Sequence, residues 1–212
     1  MGKLINVQKG LGLLALSIIL VLVGSCLTVL SVMWPNVANV LAWVGIVLVL
    51  VGSVLELVGL IVAGKDETNH FKQSMYMVIA NIILYVSAVI FGAIPNGVCQ
   101  SIAGTIYNAT PILDMLVIIE VILGCREVSP KTVSNKDVNV LMISVIILTV
   151  LQILTNNFSV YLHNMISESG AVQIWSTIIV VCCVVFELFV DVTYIFVVFN
   201  TREGLKHARP AK

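Results

Sequence analysis

The stretch "LGLLALSIILVLVGSCLTVLSVMWPNVANVLAWVGIVLVLVGSVLELVGLIVA", residues 11–63, decides the fold. It holds two apolar runs, 11–34 and 38–63, joined by a link around Trp34 and Pro35. A helix crossing about 30 Å of hydrocarbon needs about 20 mostly apolar residues at 1.5 Å each. Both runs meet that length, and so short a link makes the two helices antiparallel neighbours. The stretch reads as a transmembrane hairpin.

The string "LVLVGS" occurs twice within it, at 20–25 and 48–53. The offset of 28 residues is four heptads, and a seven-residue step returns to nearly the same helix face, with about 20° of drift. Gly10, Ser17, Gly24 and Ser31 recur at that step on the first helix; Ala38, Gly45, Gly52 and Gly59 recur on the second. Each helix therefore carries a stripe of small residues. A turn centred between Trp34 and Pro35 sets Gly10 opposite Gly59, Ser17 opposite Gly52, Gly24 opposite Gly45 and Ser31 opposite Ala38. In lipid, little hydrophobic force drives helices together, so close backbone approach carries association, and small residues permit it. The stripes predict a packing seam.

Composition extends the membrane reading to the whole chain. Of 212 residues, 59% are apolar and 10% charged, against about 25% charged in soluble domains. With a mean hydropathy of +1.10, a globule could not cover itself with polar surface, so lipid must serve as solvent. The formal net charge of +0 argues against a globally basic nucleic-acid binder. The first apolar run is longer than the roughly 7–15 residues of a signal-peptide core and lacks a small-x-small cleavage site, so it reads as a retained span. The expectation is an all-α polytopic protein with a single transmembrane domain over 1–212. Its six spans fall at about 11–34, 38–63, 74–94, 106–124, 138–155 and 173–199.

Charge placement supports the fourth span, which Asn108, Pro111 and Asp114 weaken. With six spans, all 11 Lys and Arg residues fall at the termini or in the loops 64–73 and 125–137. The opposite loops hold none. By the positive-inside rule both termini are cytoplasmic and the protein is integral to the cell membrane. Dropping the fourth span would put Arg126, Lys131 and Lys136 outside.

A longer period underlies the hairpins. "LLALSIIL" at 13–20, "MVIANIIL" at 77–84 and "LMISVIIL" at 141–148 are spaced by 64 residues. Glu56 and Glu120 share that spacing, with Glu187 three residues late. Each second helix ends on a basic–acidic step: Lys65-Asp66, Arg126-Glu127 and Arg202-Glu203. The chain is expected to be three helical hairpins in weak internal repeat. No known family is recognised in the sequence, although the c-ring proteolipids of rotary ATPases also pair helical hairpins with a buried Glu. This chain lacks their dense glycine pattern on every first helix, and their properties do not follow.

The acids within the spans are Glu56, Asp114, Glu120, Glu187 and Asp191. An ionised carboxylate at mid-bilayer costs about 2.5–3.5 kcal/mol on insertion scales, so such residues usually face the bundle interior. Glu120, four residues before Gly124, can reach the cytoplasmic surface. Glu56, Asp114 and Asp191 precede Lys65, Arg126 and Arg202 by 9, 12 and 11 residues, which is roughly 13–18 Å of depth. Glu187 and Asp191, one turn apart, share a face with Tyr194 close by. No Lys or Arg lies in a span to pair with them. Glu56, Asp114, Glu187 and Asp191 are the candidate ion or solute site.

No HExxH, GxSxG, P-loop or GxGxxG occurs, and neither the five Cys nor the three His show metal-ligand spacing. No catalytic residue, metal or cofactor is expected, and the chain is read as not an enzyme. Sequons at Asn108 and Asn157 fall on the outer side. The leading expectation is a small six-span protein that transports or senses a small solute or cation. The alternative is a non-transporting accessory or scaffold protein. The expected partners are the lipid bilayer and either further copies of the chain or another membrane protein, not nucleic acid.

Overall fold

The structure is a computed structural model that describes residues 4–34, 37–66, 68–130, 133–165 and 170–207, with side chains left aside at 29, 32–33, 156–181 and 207. Pro35, His163, Trp175 and the Asn157 sequon lie outside what it describes at side-chain level. The described chain is helical throughout: α1 Ile5–Met33, α2 Ala38–Ala63, α3 Asn69–Ala93, α4 Gly97–Val128, α5 Asn135–Met165 and α6 Gly170–His207. A 3-10 turn, Gly64–Asp66, follows α2. All six helices contain a segment long and apolar enough to cross a membrane.

The helices outrun the apolar spans. α4 starts at Gly97, nine residues before the expected entry at 106, because Asn96 caps it by accepting from the Val98 N–H at 2.9 Å. Hydropathy marks where lipid touches a helix, whereas backbone hydrogen bonding continues through polar sequence until a cap or breaker stops it. α5 and α6 likewise continue past 155 and begin before 173. Pro111 lies inside α4. It lacks the N–H that would bond the Tyr107 carbonyl, and the Thr110 hydroxyl donates to that carbonyl at 3.0 Å instead.

Consecutive helices pair as three hairpins, α1–α2, α3–α4 and α5–α6. α6 also packs on α1 and α4, α4 on α5, and α2 on α3. The 64-residue repeat itself rests on sequence spacing.

The first hairpin is the closest pair, for a steric reason. A methyl group added at Gly10 would lie 2.5 Å from the Gly59 carbonyl oxygen, and one at Gly24 would lie 2.7 Å from that of Gly45. One at Gly52 would lie 3.1 Å from the Ser17 carbonyl oxygen. Backbone thus meets backbone at these three pairs. Ser31 is buried and donates to its own helix at Thr28 O, 2.7 Å, while Ala38 is half-buried. In the second hairpin, Ser74 and Ala88 are buried, one on each side of Asn81.

The main apolar core is displaced towards the end of the bundle that carries Lys65, Arg126 and Arg202. It runs through Leu11 and Leu14 on α1, Leu60 on α2, Phe71 on α3, Val121 and Ile122 on α4, Leu141 on α5 and Val198 on α6. Gly124 admits Phe71, whose ring would lie 3.0 Å from a methyl group there. Towards the other end, the described close contacts are within hairpins. They include Gly24 on Gly45, the edge-to-face Tyr85–Tyr107 pair at 6.1 Å, and Thr155 beside Cys183 at 3.2 Å.

Candidate functional site

Among the described residues, the core on the three second helices stops 8, 11 and 16 residues short of the basic steps at Lys65, Arg126 and Arg202. Its last members away from the basic end are Leu57 on α2, Met115 on α4 and Phe186 on α6. Each adjoins an acid in the chain: Glu56, Asp114 and Glu187. Three of the four acids are thus next in sequence to the last core member of their helix, whereas Asp191 lies between the core residues Val190 and Tyr194.

The structure brings the four candidate acids together across hairpins. Glu56 lies within electrostatic range of Asp114, Asp114 of Glu187, and Glu187 of Asp191. Glu56 and Asp191 are half-buried, whereas Asp114 and Glu187 remain exposed. Side chains therefore do not fill the space around these two acids, although each interacts with an acid on another hairpin. Among the described residues no Lys or Arg ion-pairs with any of the four.

Two neutral polar residues complete the cluster. Asn81 on α3 donates through Nδ2 to Asp114 Oδ1 at 2.5 Å, while its own Oδ1 is buried without a hydrogen-bond partner. Tyr194, one turn beyond Asp191 on α6, is only 4% exposed, and its hydroxyl also lacks a hydrogen-bond partner. It lies within electrostatic range of Glu56, of the buried Cys125 and of Asp191. The stripe Glu187, Asp191, Tyr194 thus runs along α6 from exposed acid to buried phenol.

Asn81 went unrecognised as a partner for Asp114 in the sequence. Depth could have found it, since Asn81 lies 9 residues after Lys72 and Asp114 lies 12 before Arg126 on the antiparallel neighbour.

Glu120 is not part of this group. It pairs with His70 Nδ1 at 2.7 Å, and His70 Nε2 lies 3.9 Å from Glu127. His70, read from sequence as a loop residue, belongs to the first turn of α3, and this contact ties α3 to α4 at the basic end. A shallow cleft there is lined by His70, Leu123, Arg126, Glu127 and Pro130.

No group of three or more His, Cys, Asp or Glu side chains among the described residues is placed to hold a metal ion. The four acids are a spread array, with carboxyl groups distributed over three helices and neutral hydrogen-bonding groups beside them. Compared with protein-family models, curated proteins and solved structures, the chain matches none. The chemistry of the site must be read from these residues alone.

Proposed function

We propose that this multi-pass membrane protein moves or senses a small solute or cation at Glu56, Asp114, Glu187 and Asp191, and that it is not an enzyme. One observation carries the reading: acids from α2, α4 and α6 lie within electrostatic range of one another, and among the described residues no Lys or Arg is paired to them. Negative charge held at that depth is costly, and a site that exchanges a cation or proton with solvent gives the cost a purpose. The Lys and Arg distribution supports a reading with both termini cytoplasmic in a cell-membrane protein, and we propose that the acids are reached from the outer side. Transport folds built from structural repeats also place their sites at repeat interfaces near the midplane.

Cysteine-accessibility scanning along 183–195, in a background lacking Cys182 and Cys183, tests the reading. Positions 187 and 191 should react with a membrane-impermeant thiol reagent from the outer side, and Glu56→Gln, Glu187→Gln and Asp191→Asn should lower cation flux in proteoliposomes. Flux that is unchanged in all three variants would remove the acids from the mechanism.

The exposure of Asp114 and Glu187 favours a second reading, an accessory or scaffold protein whose acids receive a basic span of a membrane partner. In that case positions 187 and 191 lose reactivity only when the partner is co-expressed, and the purified chain carries no flux.

A further inference from the structure

We propose that the α1–α6 junction at the basic end of the bundle holds one anionic phospholipid, its phosphate seated on the Arg202 guanidinium and Lys9. The site is separate from the midplane acids and does not depend on how they are read.

The geometry starts at Gly12. This glycine stands outside the α1–α2 seam, which runs through Gly10, Ser17 and Gly24, and it meets a different neighbour. A methyl group added there would lie 3.1 Å from Arg202 Nε, 3.3 Å from Cζ and 3.5 Å from Nη2. Three guanidinium atoms at nearly equal distances mean that the plane of the group lies face-on over the glycine. Arg202 of α6 thus reaches across to α1, and the missing side chain at Gly12 leaves room for the flat contact.

That contact lies on an outward face of α1. Lys9, Gly12, Leu16 and Ile19 follow one another at steps of three and four residues and share one side of the helix. Lys9 is exposed, as are Leu16 and Ile19 at 45% and 43%. On α6, Phe199, one turn before Arg202, is 45% exposed. Lys9 therefore stands on the side of the basic end, whereas Leu16, Ile19 and Phe199 present apolar surface on the side of the midplane. Cations above exposed hydrocarbon match the polarity of a phospholipid.

The charges at this end leave the two cations unmatched. Asp66 accepts from the Asn6 and Val7 N–H groups, Glu203 pairs with Lys206, and Glu120 pairs with His70. Among the described residues no acid forms an ion pair with Arg202 or Lys9, and Arg202 Nε is buried without a hydrogen-bond partner. A buried donor of a charged group left without an acceptor is costly. With Nε sealed, the Nη groups are the donors left for a ligand, and phosphate suits a guanidinium edge while Lys adds a point charge. Basic pockets between membrane helices take anionic headgroups by this chemistry. A free phosphate would meet the cations but leave the apolar side chains unused.

The test uses the full chain in detergent micelles, with native mass spectrometry counting the lipid retained from an equimolar mixture of phosphatidylglycerol and phosphatidylcholine of one acyl length. One phosphatidylglycerol per chain is expected, held about tenfold better than phosphatidylcholine, as for hydrogen bonds to a charged group. Arg202→Gln and Gly12→Leu should abolish the preference. Arg126→Gln removes the same charge at the same end of the bundle and should leave it unchanged. Millimolar inorganic phosphate should not displace the lipid. Equal retention of the two lipids by the wild type overturns the proposal, and that comparison needs no variant. An equal loss in Arg126→Gln and Arg202→Gln overturns it too, because diffuse attraction rather than a site would then hold the lipid. A preference kept in a folded Gly12→Leu protein overturns the face-on contact as the base of the site. Displacement by inorganic phosphate overturns the lipid as occupant and makes the site one for a soluble phosphate.

Discussion

Asp66 caps the amino end of α1 from sixty residues away. Its carboxylate accepts from the Asn6 and Val7 backbone N–H groups, each at 2.9 Å, and from Asn6 Nδ2 at 2.7 Å. Leu4, at the N-cap position, has no side chain able to do this. The free N–H groups of a helix start carry partial positive charge, and a carboxylate meets both needs at once. Placed in the turn after α2, it also fixes the basic end of the first hairpin. Asp66→Ala should lower stability by about 1–2 kcal/mol, with Asp66→Asn in between. Thermal melting in detergent checks this, and a variant as stable as the parent would show the cap to be idle.

The seam makes a graded prediction about glycines. At Gly10 and Gly24 an added methyl group meets backbone oxygen at 2.5 and 2.7 Å, so α1 and α2 must move apart. Gly10→Ala and Gly24→Ala should each cost about 1–3 kcal/mol, and Gly24→Leu more. Nothing lies within 4 Å of such a group at Gly104 on α4. Gly104→Ala should therefore be neutral or stabilise by up to about 1 kcal/mol through helix propensity. Equal effects at Gly24 and Gly104 would contradict the seam.

The Thr110–Pro111 pair offers a double-mutant cycle. Thr110→Val removes the hydroxyl that donates to the Tyr107 carbonyl and should cost about 1 kcal/mol. In a Pro111→Ala background the new N–H can bond that carbonyl, and the same change should cost little. Coupling near zero would mean that the hydroxyl does not compensate for the proline.

Tyr194 predicts an unusual sign. Removing a buried hydroxyl that has no hydrogen-bond partner relieves a desolvation penalty of order 1 kcal/mol, while the ring keeps its packing. Tyr194→Phe should melt at the same temperature as the parent or higher. A drop of several degrees would indicate that the hydroxyl has a partner in the folded protein.

The six spans were legible because lipid imposes a length of apolar sequence that little else produces. The small-residue stripes were legible because heptad spacing and one short link define a register. The helical extension before residue 106 was hidden, since hydropathy does not report on helix beyond lipid. The group formed by Glu56, Asp114, Asn81, Asp191 and Tyr194 was only partly visible. Depth counting aligned the acids, but pairing Asn81 with Asp114 needs the rotation of α4 about its axis against α3, which is a matter of packing between the two helices.

Hydropathy and charge were enough to settle the helices, their number and the expected direction of the bundle, because each follows from the transfer free energy of one segment at a time. The closeness of the first hairpin was nearly as local, since it needs only two stripes and a turn. Packing between hairpins was not local. Whether Asp66 reaches α1, whether the core stops at Leu57, Met115 and Phe186, and whether the Tyr194 hydroxyl lies near Glu56 depend on how three hairpins rotate and tilt against one another. That arrangement is a balance of many weak dispersion contacts in a solvent as apolar as the helices themselves, and no single stretch of sequence encodes it.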